Sequence, residues 1–180
     1  MSRLLIILIY FLAACRSNQY IVIPARPVEA INGSTFYKQV IPLSREERER
    51  LAIREVLSGN IPPFLKYFVR IQTVMTDSLG IAHTAQYYVS PDYLSIGSNA
   101  DFARIPLTPM AAQQIADGLT CFLPTRKMVN DIYQQSQVKL EPMPLFQYRD
   151  SALMFWYHHL MIEGQRKQRR GLIAGVKKMW

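Results

Sequence analysis

The chain has 180 residues, 49% of them hydrophobic and 19% charged, with 21 Lys and Arg against 13 Asp and Glu for a net charge of +8. Such a balance excludes an intrinsically disordered chain, and the length suits one domain with a core of its own. Cys15 and Cys121 are the only two cysteines, so a framework of several disulfides is excluded and the fold must rest on apolar burial.

Behind Arg3, the apolar run Leu4 to Ala14 has 11 residues, too few for a membrane-spanning helix, which needs roughly 20. It has the form of a secretory leader: a positive start, an apolar middle, and small residues before a processing point. Leu12-Ala13-Ala14-Cys15 resembles a bacterial lipobox, in which the cysteine takes the lipid and becomes the first mature residue. The alternative is an ordinary signal cut nearby without lipid. Residues 1–15 therefore read as a signal peptide with a lipobox, and Cys121 becomes the one remaining thiol. Removing them takes away only Arg3 and leaves a basic protein, which attracts lipid head groups or acidic polymers.

Residues 16–43 carry three prolines and little periodicity, and read as a tether and irregular lead-in. "SREERERLAIREVLSGN" follows with the capping-box spacing Ser44 and Glu47, an apolar side of Leu51, Ile53, Val56 and Leu57, and Gly59 as the stop. "YFVRIQTVM" and "GIAHTAQYYV" read as two strands around Thr76-Asp77-Ser78. Val69, Ile71, Thr73 and Met75 share one side of the first, and Ile81, His83, Ala85, Tyr87 and Val89 share one side of the second. "YLSIGS" and "FARIPL" add two short strands. Thr108-Pro109 starts a helix with Ala111, Ile115 and Leu119 at fourfold spacing, and Thr125 caps another with Met128, Val129, Ile132 and Tyr133. After the proline-marked break "LEPMPLFQY", Asp150 caps a last helix, "SALMFWYHHLMIEGQ", apolar on most sides and so expected at the centre of the core. "GLIAGVKK" reads as a strand entering a sheet. Residues 44–180 are thus expected to form a single α+β domain, with an antiparallel sheet of about four strands packed against three to four helices.

The run from "VSPDYLSIGSNADFARIPLTPMAAQQIADGLTCFLP" through "TRKMVNDIYQQSQVKLEPMPL", with "HHLMIEGQR" and "GLIAGVKK" after it, resembles an uncharacterised family of secreted bacterial proteins with a lipoprotein-type signal. The resemblance covers Ser44 to Lys178 and brings no activity, cofactor or catalytic residue. It implies a longer chain, since members continue past "AGVKK" into a region rich in His, Trp and Tyr. A chain stopping at Met179-Trp180 therefore looks C-terminally truncated.

Among residues able to carry chemistry, Cys121 lies four positions before the Thr125 helix start, where a thiol pKa can fall and a nucleophile can arise. Its neighbours Phe122 and Leu123 suit a buried, inert cysteine equally well. His83, on the apolar side of its strand, is either a core histidine with a hydrogen-bond partner or the base facing Cys121. His158 and His159 diverge by about 100° on their helix, which disfavours one shared metal, and Glu163 is placed to pair with His159. No metal site and no cofactor are expected. Asp92, Asn99 and Asp101 read as turn formers. The basic tail Arg166, Lys167, Arg169, Arg170, Lys177 and Lys178 reads as a solvated helix end or as a contact for anionic lipid or envelope polymer. It lacks the interleaved aromatics of single-stranded nucleic-acid binders, so nucleic acid is not the expected partner.

The reading these features support is a lipid-anchored protein of the bacterial cell envelope, exported and held at a membrane, with a binding or structural role. The competing reading is a secreted cysteine hydrolase of the cell-wall amidase or peptidase type, with Cys121 as nucleophile and His83 as base. A cytosolic nucleic-acid binder is the third, and requires that residues 1–15 are no signal.

Overall fold

The computed structural model describes residues 23–143, 151–167 and 169–175. Cys15, Lys177, Lys178 and Asp150 lie outside the described residues. Within them the fold is α+β: helices α1 (Gly33–Val40), α2 (Arg45–Leu57), α3 (Pro109–Gly118), α4 (Arg126–Gln135) and α5 (Ala152–Arg166), and strands β1 (Val69–Thr76), β2 (Ala82–Val89), β3 (Ser95–Gly97), β4 (Phe102–Arg104), β5 (Val138–Leu140) and β6 (Ile173–Gly175).

Local sequence explains most helix starts. The Ser44 hydroxyl accepts from the Glu47 N–H while the Glu47 carboxylate accepts from the Ser44 N–H at 2.9 Å, a complete capping box. Gly59, at φ +88°, ends α2 in a conformation that a side chain would resist. Thr108 and Thr125 cap α3 and α4 through their hydroxyls. At α5 the capping hydroxyl is that of Ser151, which accepts from the Met154 N–H.

The expected single sheet of four strands is replaced by three separate two-stranded sheets among the described residues. β1 and β2 pair antiparallel with Val69 opposite Val89, Ile71 opposite Tyr87 and Met75 opposite His83, so the two anticipated sides coincide. Only the base of that ribbon is covered: Ile71 is buried, with Tyr87 donating to the Met128 carbonyl of α4, whereas Met75 and His83 are exposed. β3 and β4 have three residues each, all buried, and are wedged among the helices rather than added to the ribbon. β5 and β6 pair in parallel, so the Ile173–Gly175 part of "GLIAGVKK" has a partner in a segment to which the sequence assigns no element.

The lead-in expected over 16–43 is also corrected. From Ile23 onward it belongs to the core, and its Gly33–Val40 segment is a helix whose Phe36, Tyr37 and Val40 are buried. The signal was hidden because α1 takes its cap from elsewhere. Asn32 makes no side-chain cap, and the Asp101 carboxylate, 67 residues away, accepts from the Ser34 N–H at 2.8 Å and the Ser34 hydroxyl at 2.6 Å. Gly33 permits this docking, since a Cβ there would stand 2.3 Å from the Phe102 carbonyl carbon. The main core joins α1 to Ala52 and Val56 of α2, Ile96 of β3, Ala103 of β4, Ile115 of α3 and Ala152 of α5. Burying a side chain such as Val56 or Ile96 contributes about 1.5–3 kcal/mol. A smaller cluster joins Val138, Leu140, Ile162 and Ile173. The helix α5 is less central than its composition implies: it buries Ala152, His159 and Ile162 but exposes Leu153, Tyr157 and Leu160.

Candidate functional site

The densest polar arrangement lies where β4 meets α5. Arg104 ends β4 and is 5% exposed. A guanidinium so placed must be paired. Its Nε donates to Asp92 Oδ1 at 2.9 Å and its Nη2 to Asp92 Oδ2, a two-point grip from the loop before β3. Its Nη1 donates to Glu163 Oε1 at 2.7 Å, and Arg166 donates to Glu163 Oε2 at 2.6 Å. Two carboxylates thus neutralise two guanidiniums. Hydrogen bonding and charge from Asp92 and Glu163 hold the Arg104 pKa above its usual value although burial acts the other way. Burial pushes the Glu163 pKa up, but hydrogen bonds from Arg166 and Arg104 outweigh it and the net shift is downward.

His159 completes the knot. Its ring stacks on Trp156 with centroids 5.2 Å apart and meets Phe102 edge-on at 5.5 Å. Nδ1 accepts from the Arg104 backbone N–H and from Nη1, both at 3.3 Å. Both are obligate donors, so Nδ1 carries no proton and the neutral ring is protonated at Nε2. Burial, reinforced by the Arg104 charge, lowers the His159 pKa to about 4. His158 is shifted down for the same two reasons.

Beside this knot opens a cleft of about 330 Å³ between α5, the end of β5 and the segment after β4. Ile105, Pro106, Leu140, Phe155, Met161 and Ile162 form its apolar wall. His159, Arg104 and Tyr93 border it, and Tyr93 Oη accepts from the Gly175 N–H at 2.7 Å. The size lies at the lower end of small-ligand sites.

Of the residues singled out in sequence, Asp92, His159, Glu163 and Arg166 meet at this knot, whereas His83 and Cys121 do not take part in it. His83 stands on the exposed part of the ribbon, where Nε2 lies 2.8 Å from Asp77 Oδ2, so it is not buried and its side-chain partner is a carboxylate. Cys121 packs against the main core, and its Sγ contacts the Leu119 carbonyl at 3.5 Å. Burial raises the thiol pKa, the opposite of what a nucleophile requires. The two residues share no hydrogen bond with each other. Glu163 does not pair with His159 directly, because Arg104 lies between them. Asp92 is more than a turn former, being the chief counter-charge of Arg104, and Asp101 is the remote cap of α1. In the basic tail, Arg166 is engaged by Glu163 and lies over the Phe102 ring at 5.6 Å. Lys167, Arg169 and Arg170 are exposed and make no side-chain ion pair among the described residues. No group of His, Cys, Asp and Glu among the described residues could hold a metal ion, and no described helix is long and apolar enough to cross a membrane.

Sequence reasoning missed Arg104 and Tyr93. The available signal was a lone charge inside the short strand "FARIPL", on the same side as Phe102, where only a paired cation can be buried. No protein-family model matches the chain, and neither a curated protein nor a solved structure matches it.

Proposed function

We propose that this is a non-catalytic binding protein of the bacterial cell envelope, held at a membrane by lipid on Cys15, with the cleft beside His159 as its binding site. The observation that carries the binding role is the apolar cleft itself, beside which the buried charges of the described residues Arg104, Asp92 and Glu163 are paired with one another. An apolar cleft bordered by a few oriented polar groups is the form that small-molecule binding sites take. The envelope location rests on the 11-residue apolar leader ending in Ala13-Ala14-Cys15. A diacylglyceryl group on Cys15 carries two acyl chains, enough for stable anchoring, and attraction to anionic lipid adds to it. Lys167, Arg169 and Arg170 supply unpaired positive charge for that purpose, worth about 1 kcal/mol each near an anionic surface.

Expression of the full chain in a bacterial host, followed by fractionation and mass spectrometry of the N-terminal peptide, tests the location. The expected product begins at Cys15, carries a diacylglyceryl group and sediments with membranes, and Cys15→Ser releases the protein from them. An intact Met1 on protein in the cytosol would overturn the envelope reading.

A further inference from the structure

The cleft has a floor whose hydrogen-bonding sense can be read atom by atom. Among the described residues, no side-chain nitrogen or oxygen that is sealed from solvent lacks a partner. His159 Nε2 has no hydrogen-bond partner, yet the residue is only 4% exposed. The Nε2–H must therefore reach the open space that the ring borders, which is the cleft. Since Nδ1 is fixed as an acceptor by two Arg104 donors, Nε2 presents a proton and cannot present a lone pair. Tyr93 adds a second donor. Its oxygen already accepts from the Gly175 N–H, and its own proton has no acceptor among the described residues.

Charge around the cleft disfavours an ionic ligand of either sign. Arg104 is saturated by Asp92 and Glu163, so no cation remains to neutralise an anion carried into this apolar space. Glu141, exposed in the cleft lining and with no carboxylate partner among the described residues, would repel one. An ammonium group would meet two N–H and O–H donors at the floor and no acceptor. What fits is an apolar body whose polar end is a hydrogen-bond acceptor without charge. A space of 330 Å³ accommodates roughly eleven non-hydrogen atoms at about 30 Å³ each.

We infer that the cleft takes a neutral amphiphile of medium chain length, with a ketone, ester or amide carbonyl oxygen accepting from His159 Nε2–H and Tyr93 O–H and its hydrocarbon lying against Phe155, Met161 and Ile162. This rests on the reading of the cleft as a binding site and adds the chemical class of what it holds.

The test uses the full chain, produced with Cys15→Ser and labelled at the methionine methyl groups, so that Met143 and Met161 at the cleft report occupancy by NMR. Three probes of similar size are titrated at pH 8: 2-decanone, n-decane and nonanoate. The expected result is saturable shifts of the Met143 and Met161 methyls with 2-decanone, and affinities at least tenfold weaker for decane and nonanoate. Met161→Trp, which fills the cleft from its wall, abolishes the 2-decanone response. Tyr93→Phe weakens 2-decanone several-fold and leaves decane unchanged. Saturable binding in which nonanoate or decane equals 2-decanone overturns the ligand class while the cleft stands as a binding site. Absence of any saturable shift at Met143 and Met161 overturns the cleft itself.

Discussion

Two histidines next to carboxylates show how differently one side chain behaves in the two halves of the molecule. On the ribbon, His83 reaches Asp77 at 2.8 Å in the open, and the hydrogen bond from His83 is the main reason that the Asp77 pKa is lowered. In the knot, His159 is enclosed by Trp156 and Phe102, and a cation stands between it and both carboxylates. Burial and the Arg104 charge therefore exclude a proton from its ring. Proximity to an acid does not by itself make a histidine basic. The element in between decides.

Removing that element gives the largest effect. Arg104→Met leaves Asp92 buried without its cationic partner and Glu163 with Arg166 alone, and is expected to cost about 3–5 kcal/mol. Urea denaturation measures it, and a loss below about 1 kcal/mol would show that water relieves the two carboxylates. The next effect is one of pH. Above about pH 6.5 neither the folded nor the unfolded His159 is protonated, so it contributes no pH dependence. Between that value and about 4 the unfolded chain takes up a proton that the folded ring refuses, so stability falls as pH falls, by about 3 kcal/mol in all, and levels off below. His159→Asn keeps an acceptor near the Nδ1 position, cannot titrate, and removes most of this slope from the urea midpoints. A slope identical to the parent's would assign the effect to other groups. The smallest effect belongs to the ribbon. Asp77 Oδ1 accepts from the Leu79 and Ile81 N–H groups whether or not His83 is present, so the turn survives its loss. His83→Ala leaves the urea midpoint unchanged and raises the Asp77 pKa toward the ordinary carboxylate range, as carboxyl-carbon NMR would record.

The same contrast separates what was legible in the sequence from what was not. The Ser44 and Glu47 box, the Thr108 and Thr125 caps and the period of two in the ribbon are settled by residues within a few positions of one another. Each appears in the fold as read, down to the side shared by Ile71 and Tyr87. The knot is assembled over longer distances, with Arg104 meeting Asp92 12 residues back and Glu163 59 residues ahead. Helix α1 escaped notice for the same reason, its cap coming from Asp101. β5 was too short to announce itself beside prolines, because a strand of three residues has no period to display. Cys121 and His83 attracted attention as residue types, but neither spacing nor periodicity could show that they bond to different partners.

The burial of Ile23 has a consequence for how the protein would sit in the cell. Its side chain is 8% exposed, and the carbonyl of the adjoining Pro24 accepts from Lys66 Nζ at 3.2 Å, so the folded body already includes residue 23 rather than starting beyond residue 43. Eight peptide steps separate it from Cys15, a covalent span of at most about 28 Å. The body it restrains has a radius of gyration of about 15 Å. With the proposed fatty anchor on Cys15, Ile23 could stand no farther than that span from the lipidated residue.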